Sequence, residues 1–128
     1  MTLDPENQAA LYNLFRALAQ NSPEEAQEYK ARLLALRKES EAKSLNDAAT
    51  ISASKQNWNK AISQMKEALE LCAGCRIIGD LHKNLGLIYA HAGDLKNAEE
   101  QLRMGQRFKP DDGDVQKALR MIEAQKNQ

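Results

Sequence analysis

The sequence predicts an all-α protein built from short helices packed in pairs. Ala, Leu, Glu, Lys and Gln are its commonest residues, and these types favour helix. Aromatic residues make up only 5% of the 128, and the β-branched runs that are typical of strands are absent. Apolar residues recur instead at spacings of three and four, which is the helical period. A chain of this length can form one domain with its own core.

The first helix is predicted to begin at Pro5, with Asp4 as its N-cap, because proline favours the first helical position and aspartate favours the cap. Ser22 and Pro23 give the same signal for the start of a second helix. The apolar stripe of the first helix consists of Leu11, Leu14, Phe15 and Leu18.

The second helix is expected to be unusually long. Residues 24–73 contain neither Gly nor Pro, so no such breaker is present near residues 39–43, where a regular array of helix pairs would break. We therefore expect one helix from Pro23 to about Ser54, which would fuse two helices that a regular array of helix pairs keeps separate. The alternative is a short kink near Ser40, within the polar stretch 37–44.

Three further turns divide the rest of the chain. Residues 55–57 form a turn in which Asn57 is a suitable cap for a helix from Trp58 to about Leu71. Residues 72–75 form the next turn. After Pro110, the acidic cluster 111–114 is predicted to cap a last helix with a polar outer face. The apolar stripe of that helix consists of Val115, Ala118, Leu119 and Ile122.

The most specific motif lies between residues 82 and 110. Gly86 would let two helices approach closely, Gly93 would take the left-handed conformation that ends a helix, and Asp94 would cap the next one. The motif consists of Leu85, Gly86, Tyr89, Gly93, Asp94, Ala98, Leu102 and Pro110. This pattern resembles the tetratricopeptide repeat (TPR), a helix–turn–helix unit of 34 residues.

Two weaker copies of this motif precede it. The small residues that keep the paired helices close are Ala26, Ala61 and Ala98, which stand 35 and 37 residues apart. The resemblance implies about three units, at 4–40, 42–75 and 79–111, and a capping helix at 112–126. It also implies that antiparallel helix pairs stack as a short right-handed superhelix within a single domain, 1–128.

Charge and hydropathy exclude several classes of partner. Lys plus Arg and Asp plus Glu both number 18, so there is no net field that would favour nucleic acid or an anionic membrane. No apolar run is long enough for membrane insertion, and the mean hydropathy is −0.66. The N-terminus lacks the pattern of a signal peptide. We expect a cytoplasmic protein if the chain is full length, and make no such inference for a fragment.

Cys72 and Cys75 form the one motif that suggests reactivity. The pair could be small residues packed in a turn, a local disulfide, a redox pair or half of a zinc site. His82 lies two turns beyond Cys75, but a fourth zinc ligand is missing, and the all-helical context differs from that of thioredoxin-like sites. Packing in a turn is the interpretation that we adopt, and we expect no metal or other cofactor.

No catalytic constellation is present in the sequence. Neither His82 nor His91 has a serine, cysteine or carboxylate at a spacing that indicates nucleophilic or acid–base catalysis. Nothing resembles a phosphate-binding loop. We therefore expect a protein that is not an enzyme.

The resemblance implies a function in binding a protein or peptide partner. In TPR arrays the first helix of each unit lines a concave face where peptides bind. Arg16 and Lys83 are the cations of the inferred groove, which suits a peptide with an acidic or polar end. The inferred groove positions are Tyr12, Arg16, Asn46, Thr50, Lys83, Asn84, Leu87 and His91. The alternatives are a C-terminal assembly piece of a larger TPR protein, self-association through the exposed N-terminal helix, and a thiol-active or metal-binding protein that uses Cys72 and Cys75.

Overall fold

The computed structural model describes residues 5–127, and in this range the chain forms six α-helices and no strand. The expected all-α fold class is confirmed. The helices are α1 (Pro5–Asn21), α2 (Pro23–Ser54), α3 (Trp58–Leu71), α4 (Ile78–His91), α5 (Leu95–Phe108) and α6 (Gly113–Lys126).

The helices pack as neighbours along the chain. Each helix contacts the next one in sequence, α2 also contacts α4, and α4 also contacts α6. Because the connections are one to six residues long, consecutive helices run antiparallel. This arrangement of helix on neighbouring helix is repeat-like, since each element is stabilised by those next to it rather than by distant parts of the chain.

The long second helix is confirmed. It is continuous through the polar stretch 37–44, where a kink was the alternative, because no residue there removes a backbone donor or favours another conformation. A single residue connects α1 to α2, so α1 runs back along the first half of α2. The second half of α2 packs on α3 and α4 and buries Ala42 and Ala49 completely.

The core is formed by the part of the chain that runs from the second half of α2 to α6. Ala42 is its first fully buried member along the chain, and the main apolar cluster contains no buried residue of α1. The marker alanines Ala61 and Ala98 are fully inaccessible, and Ala26 is buried beneath α1. The largest fully buried side chains are those of Met65, Leu81, Leu85, Leu102, Val115 and Cys72.

Gly86 lies at a close approach of α4 and α5, as the motif predicts. A Cβ atom on Gly86 would lie 2.7 Å from Cγ of Leu102 and 3.1 Å from the carbonyl oxygen of Ala98. A second close approach, which the sequence analysis missed, brings Gly79 of α4 against Gly105 of α5. A Cβ on Gly105 would lie 3.2 Å from the Gly79 carbonyl oxygen. Glycines inside two helices were the signal for it.

The helix ends follow the predicted caps in part. Gly93 has a φ of +89°, and the Asp94 carboxylate accepts a hydrogen bond from the Asn97 backbone N–H at 3.2 Å. Asp112 accepts from the backbone N–H groups of Asp114 and Val115, which caps α6 as expected.

The predictions for Ser22 and Asn57 are wrong in one respect. Both residues stand at the N-cap position, but neither side chain makes a capping hydrogen bond. The connection before α3 instead contains Gln56 with a φ of +61°, so this turn is shaped by a left-handed residue ahead of the cap. The predicted cap Asp4 lies outside the described residues.

None of the described helices combines the length and the apolar character that a membrane crossing needs.

Candidate binding surface

One side of α4 remains accessible while the opposite side is buried. Leu85, Gly86 and Tyr89 are buried against α5 and the core. The predicted groove residues fall on the other side because their spacing follows the helical period. Three of them are half-buried, namely Lys83, Asn84 and Leu87, and the fourth, His91, is exposed.

The predicted positions on α2 lie directly beside this side of α4. The Asn84 side-chain amide donates to Oδ1 of Asn46 at 2.8 Å, which joins two helices across 38 residues of sequence. Thr50 lies one turn further along α2, is exposed, and its hydroxyl donates to the Asn46 carbonyl oxygen at 3.0 Å. We call the surface made of Asn46, Thr50, Asn84, Leu87 and His91 the α2–α4 face.

A hollow of about 290 Å³ adjoins the two asparagines of the α2–α4 face. Five of its seven lining residues are polar or charged, so it offers hydrogen-bonding groups as well as apolar surface. Its lining consists of Lys43, Asn46, Asp47, Ile77, Asp80, Leu81 and Asn84.

His91 forms the other end of this face. Its ring stacks on the ring of Trp58 with a centroid distance of 6.4 Å and an interplanar angle of 10°. Trp58 is partly buried and packs against the core. The imidazole of His91 is therefore held flat against α3, with its outer side accessible.

Lys83 links α4 to α6. Its ammonium group donates to Asp112 at 3.0 Å and to Asp114 at 3.3 Å. The hydrogen bond to Asp112 is the main cause that raises the Lys83 pKa above 10.5, and the same bond holds the Asp112 pKa below 3.8. Lys83 is thus an ion-paired residue between two helices, rather than a cation that is available for a ligand.

Tyr12 and Arg16 are separated from the α2–α4 face. Both are exposed on α1, and within residues 5–127 α1 contacts only α2. The reason is the continuous α2, which extends the first helix pair in line with the second pair. The structure therefore does not bring these two residues together with the other six predicted positions.

Cys72 and Cys75 form a disulfide. Of the alternatives weighed from the sequence, the local disulfide is the one that the structure contains. Cys72 is fully buried, whereas Cys75 is partly exposed. His82 is not directed to the cysteines, because its Nδ1 lies 2.7 Å from Oε1 of Gln101 on α5. No group of residues within 5–127 has the composition and proximity of a metal site.

A larger cleft, of about 890 Å³, lies beside the disulfide. We call it the disulfide cleft. Its floor is the middle of α2, and its sides are α1 and the turn between α3 and α4. The lining comprises Leu11, Arg32, Ala35, Leu36, Lys38, Glu39, Glu70, Leu71, Ala73, Gly74, Cys75 and Arg76.

Glu39 is the buried polar residue of the disulfide cleft. Its Oε2 accepts a hydrogen bond from Arg76 at 3.2 Å, and its Oε1 has no hydrogen-bond partner within the described chain. The side chain of Glu39 is only 10% exposed, whereas that of Arg76 is 83% exposed. Sequence reasoning missed this pair because 37 residues separate its members and neither belongs to a local pattern.

Comparison with known proteins gives no assignment for this surface: no family model matches the chain, and no curated protein matches it significantly.

Proposed function

We propose that this chain is a TPR-like adaptor that binds a peptide segment of a partner protein on the α2–α4 face. The observation that carries the proposal is the direct hydrogen bond between Asn84 and Asn46, which aligns accessible residues of two helices along one surface. Side-chain amides can donate to and accept from a peptide backbone, so this surface suits an extended segment.

The charges beside this face favour neither an acidic nor a basic peptide. Lys83 is already paired with Asp112 and Asp114, so it does not supply the cation that an acidic peptide end needs. Asp80 is likewise paired with Lys109 at 2.7 Å. Asp47 adds a carboxylate to the hollow and Lys43 adds an ammonium group, so these two charges offset each other. A peptide without a strong net charge therefore suits this face, since charge complementarity decides which partner is accepted.

Selection from a peptide library, followed by measurement of affinity for the selected peptides, tests the proposal. Thr50→Arg and Leu87→Arg each place a long charged side chain across the α2–α4 face, and each should weaken binding about fivefold or more, because blocking a central contact costs about 1 kcal/mol or more. Lys96→Glu on the exposed side of α5 is the matched control and should bind like the unmutated chain. Equal affinities for all four proteins would contradict the proposal.

The alternative, a piece of a larger array or a self-associating chain, is favoured by a different observation. Tyr12 and Leu14 of α1 and Leu34 of α2 are 49%, 40% and 53% exposed. Large apolar side chains on a terminal helix pair suit a further packing neighbour, because a terminal repeat normally has a polar outer side. Hydrogen exchange of the α1 amides at two protein concentrations tests this alternative.

A further inference from the structure

We infer that the Cys72–Cys75 disulfide is a thiol–disulfide exchange site, with Cys75 as the reactive sulfur and a two-cysteine polypeptide segment as its substrate. The inference is independent of the α2–α4 face, since the cysteines lie on the turn between α3 and α4.

The two sulfurs differ in access. Cys72 has no exposed surface, whereas Cys75 is partly exposed and lines the disulfide cleft. A nucleophile can therefore approach Cys75 but not Cys72. Gly74, between them, has open space where a Cβ would point, with no atom within 4 Å, so nothing covers the turn. One accessible and one buried cysteine is an arrangement that suits exchange, because access decides which sulfur is attacked.

Positive charge exceeds negative charge along the same cleft. Arg76 follows Cys75 directly, and Arg32 and Lys38 also line the cavity, together with the carboxylates of Glu39 and Glu70. Neighbouring cations stabilise a thiolate relative to a thiol, which makes the cysteine a better nucleophile and a better leaving group at neutral pH. Glu39 positions Arg76 through their ion pair. The other carboxylate oxygen of Glu39, Oε1, is buried and has no hydrogen-bond partner within the described chain.

The turn does not depend on the disulfide alone. The Cys75 backbone N–H donates to the Cys72 carbonyl oxygen at 3.1 Å, and the Ile78 N–H donates to the Cys75 carbonyl oxygen at 3.2 Å. The disulfide closes a loop between cysteines only three positions apart, and short loops gain less from a cross-link than long ones. The fold should therefore persist in both redox states, as a reversible reaction requires.

The reaction balances with a dithiol as the reductant. One substrate thiolate attacks Sγ of Cys75, the bond between the two protein sulfurs breaks, and Cys72 leaves as a thiolate that takes up a proton. The second substrate thiolate then attacks the substrate sulfur of the mixed disulfide, and Cys75 leaves. The substrate gains a disulfide and loses two electrons and two protons, which the two cysteines receive.

A trapping experiment tests the assignment of Cys75. Full-length Cys72→Ala and Cys75→Ala proteins, reduced and checked for helical circular dichroism, are mixed with a single-cysteine peptide carrying a thionitrobenzoate group. Cys72→Ala, which retains the accessible sulfur, should form the mixed disulfide at least about tenfold faster than Cys75→Ala. Equal rates would overturn the proposal. If Cys72→Ala does not fold, alkylation of the reduced unmutated chain by iodoacetamide and peptide mapping should show the same preference for Cys75.

Two further readouts separate an exchange site from a structural disulfide. The oxidised chain should oxidise a reduced two-cysteine peptide faster than the same concentration of oxidised glutathione, and a rate no higher would overturn the proposal.

Arg76→Ala should shift the pH midpoint for alkylation of Cys75 upward, whereas Arg120→Ala on the exposed side of α6 should not. An unchanged midpoint in Arg76→Ala would contradict the stabilisation of the Cys75 thiolate by Arg76.

Discussion

Small residues decide how closely the helices approach. Gly86 of α4 lies opposite Ala98 of α5, and Ala61 of α3 is fully buried where α3 packs on α2. At each point a larger side chain would have to displace a neighbouring helix, because interiors are packed at the density of organic crystals. These residues carry no chemistry of their own, yet they fix the position of α4, and with it the α2–α4 face.

Gly86→Leu should destabilise the fold by about 1–3 kcal/mol, since overpacking a tight helix contact has this cost. The Cβ atom of the new side chain would lie only 2.7 Å from Cγ of Leu102. Urea denaturation followed by circular dichroism measures the change in the free energy of unfolding. Gly74→Ala is the matched control, because no atom lies within 4 Å of its Cβ position. If Gly86→Leu is as stable as the control, the close approach of α4 and α5 is not a constraint on the fold.

At the residue scale, the sequence predicts the role of a residue when that role depends on neighbours close in sequence. Gly93, Asp94 and Asp112 have their roles within three or four positions of themselves, so spacing alone predicts them. The roles of Lys83 and Glu39 depend on partners 29 and 37 residues away, and no local pattern records those distances. The ion pairs of Lys83, which was predicted as a groove cation, could not be read from the sequence for this reason.

At the scale of elements, α6 is held to the array at both ends. Its N-terminal end is tied to α4 by the ion pair of Lys83 with Asp112, and near its C-terminal end Lys126 pairs with Glu99 of α5. Between these pairs, Val115 and Ile122 are buried. The hydrogen bond from Lys126, and then that from Arg103, lowers the pKa of Glu99 below 4.5.

These ion pairs predict a loss of stability in acid. Asp112 has a pKa below its ordinary 3.8 in the folded chain, so its contribution is complete above that value and is lost as pH falls through the folded pKa. Lys83, whose pKa is raised, contributes below pH 10.5 and loses its contribution as pH rises through the folded pKa. Thermal unfolding at neutral pH and at pH about 3 should therefore give a lower Tm in acid.

Lys83→Met tests the contribution of the Lys83–Asp112 pair apart from that of the other carboxylates. Methionine keeps a side chain of similar length without the charge. The difference in Tm between neutral and acidic pH should be smaller in Lys83→Met than in the unmutated chain. Lys117→Met, at an exposed position of α6, should leave that difference unchanged. An equal difference in all three proteins would show that the Lys83–Asp112 pair does not stabilise the docking of α6.

The elements themselves could be predicted well. The absence of Gly and Pro around residues 39–43 was the signal for the continuous α2, although α2 ends at Ser54 with neither residue present. The turn at 55–57 lies where the sequence places it, and the turn predicted at 72–75 extends to residue 77. The candidate site was predicted less completely. Asn46, Thr50, Asn84 and Leu87 do lie side by side, but Tyr12 and Arg16 lie apart from them on α1. The helical period predicts which residues share one face of a helix. It does not predict the direction in which the fused α2 extends, and that direction determines where α1 lies.

At the scale of the whole molecule, packing is uneven along the chain. From the second half of α2 onward, every helix contributes buried residues to one cluster. The first half of α2 buries only Ala26 and Leu33 among its apolar residues, and within residues 5–127 it is α2 alone that contacts α1. In an array stabilised by neighbours, an end with one contact opens more readily than the middle.

Native-state hydrogen exchange should show this gradient. Amides of α1 are expected to exchange well before those of α4 and α5, because opening α1 exposes little buried apolar surface. The second half of α2 provides the internal control. It belongs to the same helix as the segment that packs on α1, but it lies within the core. Measurement at two protein concentrations extends the test. If α1 is protected as strongly as α4, and this protection falls on dilution, a second copy of the chain covers Tyr12 and Leu14 and the self-association alternative gains support. Strong protection of α1 that does not change on dilution would contradict the uneven packing from which the prediction follows.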